Sequence, residues 1–214
     1  MDQEKVWNEI ADLWNSYRYK EIAEITEFLK NKKGRVLDLG CGSGRNLIQN
    51  ENIEYYGVDF SEKMLKFAEQ NAKNKKVNAV FFKSDVGKEN LPFEDNFFDA
   101  ALFMSTLHCI ETAEERKKAL EELYRVMKKN SDAMISVWNK EKSKKLEKIP
   151  AKEGYAIWRK DGVHYERYYY FYSKEELEDL LKRIGFKIMS IETKEGKTLM
   201  SQHSQKNLVV YVKK

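Results

Sequence analysis

The stretch "RVLDLGCGSGRN", residues 35–46, sets Gly40, Gly42 and Gly44 within five positions directly behind a short apolar run. Glycine costs conformational entropy, so a cluster this dense marks either a turn needing positive φ or a ligand pressed against the main chain. "RVLDL" has the length and content of a buried strand, and the chain after Gly44 continues polar and compact. The glycines are therefore expected at a strand-to-helix turn, the place where a nucleotide-type cofactor meets a fold of alternating strands and helices.

The alternation continues along the chain. "EYYGVDF", "NAVFFKSD", "FFDAALFM" and "DAMISVW" read as further strands, with helical segments around residues 63–71 and 112–129 between them. Thr112 with Glu115, and Ser173 with Glu176, form capping-box patterns; the helix after Ser173, "KEELEDLLKRI", stops at Gly185. "FKIMSIET" and "NLVVYVKK" close the chain as a hairpin-like pair of strands. Ahead of all this, residues 6–29 show helical spacing with a break near "NSYRYK". The order predicts one α/β domain over residues 1–214, Rossmann-like, with a mostly parallel seven-stranded sheet and helices on both faces. Residues 1–33 would form N-terminal helices. Residues 139–172, lysine-rich and then aromatic, would form a loop-like substrate or lid insertion, because aromatic side chains this dense are costly to leave in water.

Length and composition narrow the class. The chain has 214 residues, 42% of them hydrophobic, enough for a full-sized core. No apolar run is long enough to cross a bilayer and the amino terminus lacks a signal-peptide pattern, so a cytoplasmic location is expected. Cys41 and Cys109 lack metal-ligand spacing and only three histidines could assist them, so no metal site is expected. The net charge of +4 permits RNA binding without requiring it.

A dinucleotide fingerprint would need a third glycine where Arg45 leads on instead, so NAD loses ground. Acidic residues stand at three successive strand ends: Asp38, placed for a positive group such as an ammonium; Asp59, where a carboxylate accepts ribose hydroxyls; and Asp85, placed for an adenine amino group. The combination "VLDLGCGSG", "GVDFSEKML", "KSDV" and "FDAALFMSTLH" closely resembles class I S-adenosylmethionine-dependent methyltransferases over residues 36–137. The resemblance implies S-adenosyl-L-methionine as cofactor, with Asp38, Gly40, Gly42 and Gly44 around its methionine part, Asp59 on the ribose, and Asp85 with Val86 at the adenine. Phe60 and Met64 would pack on the adenine ring, and the set takes in Cys41, as compact filler of the loop, and Met104. A helix cap or turn is the plainer role open to Asp59 and Asp85.

Only Pro92 and Pro150 occur, so the Asp/Asn-Pro-Pro-aromatic motif of amino-directed nucleic-acid methyltransferases and the Pro-Cys of cytosine-C5 enzymes are both absent. "WNEIADLWNSYRYK", "LHCIETAEERKKALEELYRVMK" and "ERYYYFYSKEEL" are similar to matching regions of the tRNA wobble-uridine methyltransferases, which esterify 5-carboxymethyluridine. This implies Arg167, Tyr168, His108 and Arg18 as catalytic residues, and Arg116, Trp158, Arg159, Tyr169 and Tyr170 as substrate contacts. Two departures stand out: Tyr170 occupies the place of a histidine, and a Pro-Trp is reduced to "AIW". The family's partners are the tRNA anticodon loop and a small zinc-containing activator, expected here as a heterodimer on the edge strand around Val80, Phe81 and Phe82.

An ester-forming reaction suits these residues. A carboxylate is ionised at neutral pH and needs no general base; an arginine fork can hold it and aim one oxygen, while tyrosines stack or hydrogen-bond a splayed base. The competing reading is a small-molecule O- or C-methyltransferase in which the same aromatic segment is a substrate lid. For His108 a packing role competes with catalysis.

Overall fold

A computed structural model of the chain describes residues 2–17, 21–139, 152–195 and 206–214. Two helices, α1 (Gln3–Tyr17) and α2 (Ala23–Leu29), precede the strands β1 (Gly34–Leu39) and β2 (Ile53–Asp59). Then come α3 (Glu62–Lys75), β3 (Ala79–Lys83), β4 (Phe98–Met104), a single 3-10 turn at Leu107–Cys109, α4 (Ala113–Val126) and β5 (Met127–Trp138). The chain continues through β6 (Glu153–Lys160), β7 (Val163–Tyr170), α5 (Lys174–Ile184), β8 (Lys187–Glu195) and β9 (Lys206–Lys213).

Seven of the strands form one sheet in the order β3-β2-β1-β4-β5-β9-β8. The five strands from β3 to β5 are parallel, and β9 joins β5 and β8 antiparallel. The expected sheet and its closing hairpin are both present. Side chains alternate along β1, so Leu37 and Leu39 enter one core while Val36 enters another. The first core takes in Leu120 and Leu123 of α4 with Leu177 and Leu181 of α5; the second takes in Ile25 and Leu29 of α2 with Ala72 of α3. A sheet buried on both faces needs such near-continuous apolar strands, and the short runs of β1 and β4 supply them. The strand order reverses between β1 and β4, which opens a crevice beyond the carboxyl ends of these strands.

Helix ends follow their local chemistry. Thr112 and Ser173 accept the Glu115 and Glu176 backbone N–H groups at 3.1 Å, completing both capping boxes. α3 runs about one turn beyond its expected end, and α4 stops at Val126, where Met127 begins β5. β3 does lie at a sheet edge, with Val80 39% exposed.

Two expectations need correction. No helix follows the glycine run: residues 40–52 make short turns, with Gly44 N–H on Cys41 O (3.0 Å) and Leu47 N–H on Gly44 O (3.3 Å). Tertiary partners claim the polar groups a helix would use. Asn46 turns its amide onto Asp38, the Ile48 N–H reaches the Tyr55 hydroxyl (3.3 Å), and Asn50 reaches back to Leu29 O (3.1 Å).

The second correction concerns the insertion. Its second half is an antiparallel ribbon of β6 and β7, paired from Glu153 with Tyr170 to Lys160 with Val163. The turn is Asp161-Gly162, with φ of +50° and +78°, the geometry of a tight hairpin that "KDGV" announces and that the aromatic density obscured. Its lysine-rich first half, residues 140–148, lies outside the described residues.

Gly162→Val would force a β-branched residue into the left-handed region at a cost of about 1–2 kcal/mol. Amide exchange in β6 and β7 should quicken about 5- to 30-fold while β1, β4 and β5 keep their protection. Unchanged exchange in the ribbon would show that its packing, not its turn, secures it.

Candidate active site

The crevice at the strand ends forms a cleft that opens to solvent. It is lined by the glycine loop, by the end of β4 with residues 104–106 and 109–111, and by α1 through Gln3, Trp7 and Trp14. Of the residues expected around a cofactor, Gly40, Cys41, Gly42, Asp59, Phe60, Met64, Asp85, Val86 and Met104 all line this one cleft. Asp38 and Gly44 do not.

Asp59 organises the floor. Its Oδ2 accepts the Gly42 N–H at 2.9 Å and its Oδ1 accepts the Ser61 N–H at 3.0 Å. Burial nonetheless pushes its pKa up to about 6, against the pull of these backbone donors. Gly42 has φ +53° and nothing within 4 Å of where a side chain would begin, so its bare backbone faces open space. Gly44 serves packing instead: a Cβ there would sit 3.1 Å from the Ala68 backbone on α3.

Asp38 stands behind the loop, 1% exposed, where Asn46 Nδ2 donates to both its oxygens at 3.1 and 3.2 Å. It reaches the cleft only through Asn46, which does line it. Burial, the donated bond acting against it, and the nearby Asp59 charge leave its pKa raised to about 7. Asp85 adopts the turn role: its Oδ1 accepts Gly87 N–H at 3.2 Å and its Oδ2 pairs with Lys88 at 2.9 Å, with the carboxylate still on the cleft wall. Burial raises the Cys41 thiol, so it stays protonated and serves as filler.

The acceptor-side residues gather beside the cleft rather than in it. Arg167 is 8% exposed, and its guanidinium lies over Trp158 (4.9 Å), Tyr169 (5.2 Å), Trp14 (5.4 Å) and Trp7 (5.7 Å). Its Nε is buried with no hydrogen-bond partner. Cation–π attraction holds the charge but leaves its donors unused, and a desolvated guanidinium in that condition favours an anion. Two walls of this cage, Trp7 and Trp14, also line the cleft.

The other expected contacts are placed differently. Tyr168 is 6% exposed, with its hydroxyl bonded to Glu153 at 2.5 Å and Arg116 at 3.2 Å; burial and the Glu153 bond hold it protonated. Arg116 spends its Nη1 on the Ile110 and Glu111 carbonyls at 2.8 and 2.9 Å and supports the Tyr170 ring at 4.0 Å. His108 and Tyr169 are buried in a stack with Trp138 and do not border the cleft. Tyr168, Tyr169 and Tyr170, expected to stack or hydrogen-bond a base, are all buried against these neighbours. Trp158 packs on Trp14 at 6.1 Å, Arg159 is exposed near the ribbon tip, and Arg18 lies outside the described residues. The sequence reading missed Gln3, Trp7 and Trp14 as cleft residues; the available signal was two tryptophans seven positions apart, stacked edge-on at 4.9 Å. It also missed Ser105, a non-glycine residue at φ +54° on the cleft wall.

Residues 30–185 match the pattern of a methyltransferase domain family. A tRNA (carboxymethyluridine(34)-5-O)-methyltransferase of Arabidopsis thaliana is 33% identical over 137 residues, 63% of this chain and 32% of that protein. The chain thus spans about a third of that relative's length. The enzyme of the same name from Schizosaccharomyces pombe is 24% identical over 210 residues, covering 86% of this chain and 88% of its own. A solved S-adenosylmethionine-dependent methyltransferase from Methanosarcina mazei superposes with a TM-score of 0.71 at 19% identity, covering 91% of this chain and 99% of its own, a likeness of fold. The cleft fits such a cofactor: Gly42 leaves room at the backbone, and the buried Asp59 carboxylate stands on the lining.

The raised pKa of Asp38 has a defined consequence for stability. Its folded value of about 7 lies above the ordinary 3.8, so the folded protein holds a proton that the unfolded chain releases. That contribution is fully present below about pH 4 and is lost as pH rises through about 7. In the absence of ligand, Asp38→Asn should melt several degrees above the parent at pH 8, about 1–3 kcal/mol, with the gap closing toward pH 5. A variant that melts lower at pH 8 would show that Asp38 is ionised and paired in the free protein.

Proposed function

The chain belongs to the methyltransferase domain family, with S-adenosyl-L-methionine as its cofactor, and from that premise we propose that it methylates the carboxylate of 5-carboxymethyluridine at the wobble position of tRNA. The observation that carries this reading is the Arg167 guanidinium, buried in an aromatic cage at the cleft with its Nε unpaired. The relatives named as carboxymethyluridine methyltransferases support it.

In this reading Asp59 accepts the ribose hydroxyls, Asn46 held by Asp38 serves the methionine end, and Asp85, Val86, Phe60 and Met64 frame the adenine. Bound there, the cofactor supplies a methyl group on a positively charged sulfur. Arg167 grips the acceptor carboxylate by its fork of donors and aims one oxygen in line. The acceptor carboxylate is already ionised and no proton has to be removed, so alignment rather than acid–base chemistry is what the side chains contribute. Stacking of the splayed base falls to Trp7 and Trp14, which are partly exposed on the cleft.

Labelled-methyl transfer should occur to tRNA carrying carboxymethyluridine and be absent with tRNA lacking it. Arg167→Ala should lower kcat/KM about 100-fold or more while calorimetry finds cofactor affinity within twofold, and Arg167→Lys should recover little. Equal transfer to a small carboxylic acid and no response to ribonuclease would favour the small-molecule reading.

A partner belongs to the same proposal. β3 ends the sheet with Val80, Phe81 and Phe82 in sequence and no central charge, which suits strand addition by a small zinc-containing activator. Coexpression with such an activator should yield a heterodimer more active than the isolated chain, and Phe81→Asp should dissociate it. An isolated monomer of full activity would rule the heterodimer out.

A further inference from the structure

Gln3, at the start of α1, is 8% exposed, and both ends of its side-chain amide are committed to β7. Its Nε2 donates to the Glu166 carbonyl at 3.2 Å, and its Oε1 accepts the Tyr168 N–H at 3.1 Å. Those two groups flank Arg167. In an antiparallel ribbon the N–H and C=O of alternate residues point away from the partner strand, so Glu166 and Tyr168 present theirs on the outer edge of β7. The Gln3 amide occupies that edge as a neighbouring strand would, closing a ring of hydrogen bonds around the Arg167 peptide.

The same helix supplies two walls of the cage, Trp7 and Trp14. It is tied to the ribbon by Lys160, which reaches the Glu9 carbonyl at 2.7 Å and Asp12 at 3.5 Å. It is tied to the cofactor side by Asn8, whose Oδ1 accepts Ser61 Oγ at 2.8 Å and Lys63 N–H at 3.1 Å. A two-stranded ribbon has little stability of its own, so the position of Arg167 depends on what its outer edge is bonded to. We infer that Gln3 is a positioning residue for methyl transfer: its amide sets the β7 backbone so that the Arg167 guanidinium stands in the cage at the cleft. This rests on the reading of Arg167 as the acceptor's anchor. It adds a residue of the cleft lining that acts on the transfer through Arg167.

Gln3→Met keeps the volume and removes both hydrogen bonds. With tRNA carrying carboxymethyluridine, it should lower kcat/KM about tenfold or more, leave the cofactor dissociation constant within twofold, and speed exchange of the Tyr168 amide. Gln3→Glu keeps the acceptor for Tyr168 N–H and loses the donor to Glu166, so its loss should be smaller than that of Gln3→Met. In an Arg167→Lys background, whose residual transfer is measured first, Gln3→Met should cost nothing further, because the group it positions is already gone. Cofactor affinity falling in step with turnover would make Gln3 a cofactor contact and overturn the inference. Full additivity with Arg167→Lys, or no loss at all, would overturn it as well, and so would a Gln3→Met protein that fails to fold while Gln3→Glu matches the parent. Failure of the underlying reading is visible separately: Arg167→Lys would then transfer methyl groups to this tRNA as well as the parent does.

Discussion

The carboxylate of Asp59 joins three parts of the molecule that the chain brings together from different directions. One oxygen holds the Gly42 N–H of the floor loop and the other holds the Ser61 N–H at the cap of α3, while the residue itself ends β2. These are charge-assisted bonds formed in a buried setting, where such bonds are strong and their loss is costly. Ser61 passes the constraint on: its hydroxyl caps α3 through Met64 N–H at 3.2 Å and meets Asn8 of α1. The floor of the cleft, the helix behind it and the helix that walls it are thus registered to one side chain.

α1 contributes Trp7 and Trp14 both to the cleft and to the cage around Arg167, so the cleft and the cage share a surface. A guanidinium among aromatic faces keeps its charge in place without consuming its donors. Arg116 illustrates the opposite use of the same residue type. It spends its Nη1 on two carbonyls and the Tyr168 hydroxyl, and so braces the ribbon's base, whereas the Arg167 Nε has no hydrogen-bond partner.

The strands of the main sheet were legible because burial on both faces demands short apolar runs, and "RVLDL" and "FFDAALFM" are such runs. The caps at Thr112 and Ser173 were legible because each depends on residues three positions apart. The path after Gly44 was misread because its polar groups are satisfied from afar, by Asp38, Tyr55 and the end of α2. The tyrosines of "RYYY" were read as a face for a substrate, but their composition could not say which neighbours cover them: Glu153, Arg116 and Glu176 hold their hydroxyls or rings, and Trp138 covers Tyr169.

What the sequence determined by itself rests on short-range chemistry: the strands of the main sheet, the helix caps, and the acidic residues at strand ends around a bare backbone. Spacing along the chain carries that information because strand and helix periods place neighbours on known faces. The tertiary structure alone decided which of those residues share a surface. It turned Asp38 away from the cleft and onto Asn46, gave Asp85 a turn and a lysine, and buried His108 in an aromatic stack. It also assembled Trp7, Trp14, Trp158 and Arg167 into one cage from positions that no local pattern connects. Such a cage exists only once sheet and ribbon have packed against α1, because its stabilisation comes from desolvated contacts between distant segments, and no single segment contains them.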